Sequence, residues 1–165
     1  MIKVLKFGGT SVGSAANMKK VAEIVRREQA RITVLSAMSG TTDSLVRISR
    51  AAASGDRNAI EEQLAMLTDK YTRCIEELLR ERKQQALARM NATFGLIRDE
   101  AAAFAEYESE RKIIAQGELL TSAIFTAYLQ ETGLKAECLY SPDFMVKDPG
   151  EKVDTERIGL SLIHI

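Results

Sequence analysis

"KFGGTSVGS", Lys6–Ser14, follows a short apolar run, "IKVLKF", and the two together set the reading of the chain. The apolar run is partly β-branched and is predicted to form a strand ending near Phe7. Ser14 is placed to cap a helix over "AANMKKVAEIVRRE", in which Met18, Val21, Ile24 and Val25 share one face. Between strand and helix lie Gly8, Gly9 and Gly13, where a simple turn needs one glycine. Glycines let backbone approach an anion closely. The N–H groups that open the helix face the strand end, and a helix N-terminus carries roughly half a positive charge. Lys6 adds a full one. That combination suits a polyphosphate. The lysine precedes the glycines, so the stretch is neither a "GxxxxGK[ST]" loop nor a "GxGxxG" fingerprint. A tight strand-to-helix turn with a solvated lysine is the alternative reading of the same residues.

Two further clusters carry chemistry. "RITVLSA" reads as a second strand, followed by the polar loop "MSGTTDS" and a short helix, "LVRISRAAAS", that closes at Gly55. Ser36, Ser39, Thr41, Thr42 and Ser44 surround Gly40 in this region. Such hydroxyls and loop N–H groups can bind a small carboxylate, or Thr42 or Asp43 can cap the helix. The third cluster is "QGEL", where Glu118 stands beside Gly117 on an otherwise apolar helix. Glu118 can receive an ammonium group or stand in solvent.

The remaining pattern is helical. Ile60, Leu64, Leu67, Tyr71, Ile75 and Leu78 keep a helical period, and Leu87, Met90, Phe94, Ile97, Ala101 and Phe104 keep it again. This predicts two long antiparallel helices broken near "ERKQQ", with a Met and aromatic stripe that serves as core. Ser109 is expected to open a helix carrying "IIAQGELLTSAIFTAYLQ", stopped by Gly133. "KAECLY", residues 135–140, reads as a third strand, closed by Ser141, Pro142 and Asp143. The order is that of an α/β fold with a parallel sheet and a helical excursion. Ligands of such sheets bind beyond the carboxyl ends of the strands, where the first two clusters lie.

The totals narrow the function classes. A chain of 165 residues, 45% hydrophobic and 28% charged, builds a globular core of about one domain at ~100–200 residues each. Lys plus Arg and Asp plus Glu are 23 each, which gives no reason to expect a nucleic-acid or membrane-surface partner. Any anion site must therefore be local. No apolar run reaches the ~20 residues of a membrane span, so a soluble, cytoplasmic protein is expected. Cys74 and Cys138 fit neither metal spacing nor a disulfide framework and read as buried thiols. His164 is the single histidine, which excludes a histidine relay or zinc cluster.

Taken together, "KFGGTSVGS", "VLSAMSGTTDSL" and "QGELLTS" resemble, in order and approximate spacing, the aspartate kinases of the amino-acid kinase family. The resemblance extends over residues 1–157. It implies an amino-acid kinase-like α/β fold and transfer of a phosphoryl group from ATP, with Mg²⁺, to the β-carboxylate of L-aspartate. The product would be 4-phospho-L-aspartate, on the way to lysine, threonine and methionine. Lys6, with the backbone at Phe7, Gly8 and Gly9, would hold the ATP phosphates, and Thr10 and Ser11 would border them. Ser36 and Thr42 would contact aspartate, and Glu118 its amino group. A homo-oligomer is implied for the full-length enzyme. A kinase fused to homoserine dehydrogenase, or a non-catalytic small-molecule-binding module, are the alternative readings.

The physical chemistry is consistent with that role. A carboxylate with a reference pKa of ~3.9 is already ionised at neutral pH and needs no general base. Bringing one anion onto another instead demands positioning and charge neutralisation. The family's catalytic domain is longer than this chain. Residues 1–157 are therefore expected to be its N-terminal, substrate-binding part, truncated and inactive alone. Residues 158–165, ending in "GLSLIHI", read as a non-native or frame-shifted tail.

Overall fold

The computed structural model describes residues 3–144. The expected tail at 158–165 and His164 lie outside them. Strand β1 (Val4–Phe7) leads into helix α1 (Ala15–Glu28), and β2 (Ile32–Leu35) into α2 (Thr41–Ser54). Three long helices follow, α3 (Arg57–Leu78), α4 (Lys83–Ala102) and α5 (Glu106–Glu131), and then a single turn, α6 (Ser141–Phe144).

Local sequence explains most of these boundaries. Ser14 accepts the Asn17 N–H at 3.2 Å and opens α1. Gly55 (φ 72°) ends α2 in the left-handed region that favours glycine. Asp56 accepts the Ala59 N–H and opens α3. The carboxylate of Glu131 takes the N–H groups of Arg80 (2.8 Å) and Arg82 (3.0 Å), pinning the turn between α3 and α4 to the end of α5. Gly133 (φ 84°) follows the end of α5 as expected.

β1 and β2 pair in parallel, Val4 with Ile32 through Phe7 with Leu35. The core lies on one side of this ladder. Leu35 is buried and Leu5 and Phe7 pack against the core, while Val4 (57%), Ile32 (44%) and Val34 (47%) are exposed on the alternate positions. Among the described residues this apolar sheet face is uncovered, although parallel sheets are ordinarily covered on both faces.

The helical excursion supplies the largest part of the core. All six positions of the α3 stripe are buried, as are Met90, Phe94, Ile97 and Ala101 of α4. Tyr71 and Phe94 meet edge-on, with ring centroids 5.9 Å apart and planes at 78°. Ile48, Leu64, Leu67 and Ile75 are almost wholly removed from water, each contributing roughly 1.5–3 kcal/mol. α2 packs on α3 and α5, and α4 on α3 and α5.

Three expectations require correction. Residues 135–140 form no strand: exposure alternates residue by residue from Leu134 to Tyr140, as in a strand, but the described residues offer no partner for a ladder. Gln130 instead donates its side-chain amide to the Ala136 carbonyl at 2.8 Å. Helix α2 is entered through Gly40 (φ 76°), and neither Thr42 nor Asp43 caps it, because the left-handed turn starts the helix two or three residues earlier. Helix α5 begins at Glu106, so Ser109 lies inside it. Its buried hydroxyl still accepts the Ala105 N–H (2.9 Å) and donates to Glu100 (2.7 Å).

Candidate functional site

The three sequence clusters converge at the carboxyl ends of β1 and β2. The Ser36 N–H donates to the Phe7 carbonyl (3.1 Å), continuing the ladder one step beyond the strands. The Ser39 N–H then donates to the Gly9 carbonyl (3.1 Å), joining the β1–α1 loop to the β2–α2 loop. Gly9 is a glycine for space: a Cβ there would lie 2.6 Å from the Ala37 carbonyl oxygen. At Gly13 a Cβ would meet Ser39 Oγ at 2.6 Å.

α5 closes on the same loop. A Cβ on Gly117 would lie 3.0 Å from Thr41 Cγ2 and 3.1 Å from both Ala37 Cβ and Leu45 Cδ1. One turn on, Thr121 Oγ1 accepts the Met38 N–H at 3.1 Å and donates to the Gly117 carbonyl at 2.7 Å. The buried Tyr71 hydroxyl lies 3.1 Å from Thr121 Oγ1 and 3.2 Å from Thr41 Oγ1. Burial raises the Tyr71 phenol above its ordinary value, with the hydrogen bonds to Thr121 and Thr41 opposing this. The phenol therefore stays protonated and able to donate at neutral pH.

Around this framework the sequence-assigned residues take different places. Lys6 stands exposed at the end of β1, on the same sheet face as Val34. Phe7, Gly8 and Gly9 are half-buried, and Thr10 and Ser11 are exposed. The Ser11 N–H donates to the Gly8 carbonyl (3.0 Å), and the Thr10 carbonyl accepts from the Asn17 side chain (3.0 Å). Ser36 is half-buried, and Thr42 is exposed in the first turn of α2. Glu118 is exposed beside the buried Gly117. Among the described residues the Lys6 and Glu118 side chains enter no hydrogen bond or ion pair, so both are free for a ligand. The structure thus brings the backbones of all three clusters together without pairing their charged groups. A separate groove of about 410 Å³, lined in part by Arg82, Arg89, Gln130 and Tyr140, lies against α4 and α5 and includes none of these residues.

Sequence reasoning missed Lys70, Thr121 and the inward role of Thr41. Tyr71 was legible as core, and a buried tyrosine requires a hydroxyl partner. That requirement was the available signal for Thr41 and Thr121. Lys70 carries no such signal, because its partners are 29 and 31 residues away.

The sequence model of the amino acid kinase family matches residues 1–163, and the chain belongs to that family. Among its relatives, an aspartokinase of Chlamydia muridarum is 30% identical over 146 residues, 88% of this chain and 31% of the relative. The chloroplastic aspartokinase 1 of Arabidopsis thaliana is 35% identical over 149 residues, 81% of this chain and 24% of the relative. Escherichia coli aspartokinase III shares the fold. Its complex with lysine and aspartate superposes with a TM-score of 0.88, and its complex with aspartate and ADP with 0.84. The identity is 23%, over 99% of this chain and 37% of that one. The chain spans about a third or less of the length of these relatives.

Proposed function

We propose that this chain is the phosphate- and acceptor-binding part of an aspartate kinase, transferring the γ-phosphoryl group of ATP to the β-carboxylate of L-aspartate. The observation that carries the reading is the junction of the three clusters: Ser39 N–H on the Gly9 carbonyl, and Gly117 packed against Ala37 and Thr41. It is supported by the aspartokinase relatives and by the solved complex of one of them with aspartate and ADP.

In this reading Lys6 and the Phe7–Gly9 backbone bind the ATP phosphates, with Thr10 and Ser11 at their border. Ser36 and Thr42 hold the aspartate carboxylates, and Glu118 takes the ammonium group. Neutralising the charge between two anions is the main catalytic task, and an exposed lysine unencumbered by a protein carboxylate suits it. Among the described residues no group of three or more His, Cys, Asp or Glu side chains is disposed to cage a metal. Mg²⁺ fits here as part of the nucleotide, held mainly by phosphates and water, and its chemistry is charge neutralisation. The product, 4-phospho-L-aspartate, would feed the synthesis of lysine, threonine and methionine.

The test is ADP release with L-aspartate and ATP by the protein expressed from its whole reading frame. Aspartate-dependent release that Lys6→Ala lowers by about 10²–10³-fold is expected. Release independent of aspartate, or turnover of Lys6→Ala within about threefold of the unsubstituted protein, would overturn the assignment.

A further inference from the structure

The ammonium of Lys70, on α3, reaches out of the helical excursion to the loop between β2 and α2. It donates to the Ser39 carbonyl and, at 3.3 Å, to Thr41 Oγ1. Ser39 is thereby gripped on both sides, its N–H by the Gly9 carbonyl and its C=O by Lys70. In a trans peptide the C=O and the following N–H point in opposite directions. Drawing the Ser39 carbonyl toward α3 therefore turns the Gly40 N–H away from it, at the start of a helix whose first turn has no side-chain cap.

The charge of Lys70 is a second and independent observation. The side chain is half-buried, and among the described residues no carboxylate forms an ion pair with it. Burial pushes its ammonium below the usual lysine value, with Cys74 a smaller, opposing influence. A half-buried cation beside a helix N-terminus is unfavourable on both counts unless an anion approaches it. Nothing in the packing of α3 demands a lysine there, since the buried stripe passes through the neighbouring Tyr71.

We propose that Lys70 is a positioning and specificity-determining residue. It would set the Ser39–Gly40 peptide of the acceptor loop and supply the local positive charge that favours a dicarboxylate acceptor. The inference rests on the aspartate kinase reading for the identity of that acceptor. The positioning part rests on the two hydrogen bonds alone.

The experiment compares Lys70→Met, which keeps length and loses charge and donor, with Lys70→Arg, which keeps both. Both are made in the protein expressed from its whole reading frame. Two readouts are taken: amide hydrogen exchange across residues 37–42, and KM for aspartate and for ATP separately. In Lys70→Met, exchange at residues 39–42 should rise at least tenfold while α4 and α5 are unchanged. KM for aspartate should rise about tenfold or more, the size of one lost charge-assisted hydrogen bond, with KM for ATP within twofold. Lys70→Arg should recover most of both. Unchanged exchange, an unchanged KM for aspartate, or equal rises for aspartate and ATP would each overturn the proposal. If the unsubstituted protein shows no aspartate-dependent turnover, the aspartate kinase reading and the specificity claim fall together. Exchange at residues 39–42 then decides the positioning claim alone, for or against.

Discussion

Thr121 on α5 accepts the backbone N–H of Met38 at 3.1 Å, across 83 residues of sequence. This one hydroxyl fastens the loop after β2 to the helix that bears Gly117 and Glu118. It also meets the Tyr71 hydroxyl and the Gly117 carbonyl, so loop, α3 and α5 share a single buried polar node. Buried polar groups are costly when unpaired, and here each has a partner.

Replacing Thr121 by Val keeps the shape and removes that node. The Met38 N–H then loses its acceptor in a buried place. A loss of about 1–3 kcal/mol in unfolding free energy is expected by urea denaturation. Thr121→Ser, which restores the hydroxyl, should recover the larger part. A Thr121→Val protein as stable as the unsubstituted one would show that the loop is held by packing alone.

Gly9 and Gly8 are adjacent but should respond differently to alanine. A Cβ on Gly9 would sit 2.6 Å from the Ala37 carbonyl oxygen, a backbone atom that cannot rotate away. Gly9→Ala should therefore force the two loops apart and cost about 1–3 kcal/mol, as overpacking does. A Cβ on Gly8 would meet nothing within 4 Å, and Gly8 has no positive φ. Gly8→Ala should change stability by less than about 0.5 kcal/mol. Thermal or urea unfolding of the pair distinguishes the two, and equal effects would contradict the close approach.

Glu118 is exposed and makes no hydrogen bond or ion pair among the described residues. Glu118→Gln should therefore leave unfolding within about 0.5 kcal/mol. In the proposed reaction it removes the charge facing the ammonium group of aspartate, so KM for aspartate should rise about tenfold with KM for ATP unchanged. An unchanged KM for aspartate counts against the assigned contact.

The two thiols should differ in reactivity. Cys74 is buried on α3, and burial raises its pKa to about 11, with Glu77 pushing the same way and Lys70 opposing. A raised pKa keeps the group protonated through neutral and mildly alkaline pH, and the thiolate is the reactive form. Cys138 is only half-buried. Iodoacetamide at pH 8 should label Cys138 in the native protein and Cys74 only after denaturation, which peptide mass mapping resolves. Labelling of native Cys74 at the rate of Cys138 would mean that α3 opens readily.

Much of this molecule was legible from local chemistry. The span of α1, with Ser14 as its cap, follows from a capping residue and a 3.6-residue apolar period. The α3 stripe from Ile60 to Leu78 was readable for the same reason, since burial of one helical face leaves its period in the sequence. The three clusters were visible because glycines and hydroxyls interrupt apolar runs. The failures were equally physical. The period-2 pattern at residues 135–140 is real in the exposures, yet a strand needs a partner that local sequence does not specify.

What the sequence by itself determined is therefore the first two strands, the long helices with their buried faces, and the glycine- and hydroxyl-rich clusters between them. Only the tertiary structure decided which backbones touch: Ser39 on Gly9, Gly117 against Ala37, and Thr121 on Met38. It also brought Lys70 from the helical excursion to the acceptor loop. Hydrogen bonds and close approaches between residues far apart in the chain depend on how helices pack. Packing is settled by the whole core at once, whereas caps and periods are settled within a few residues.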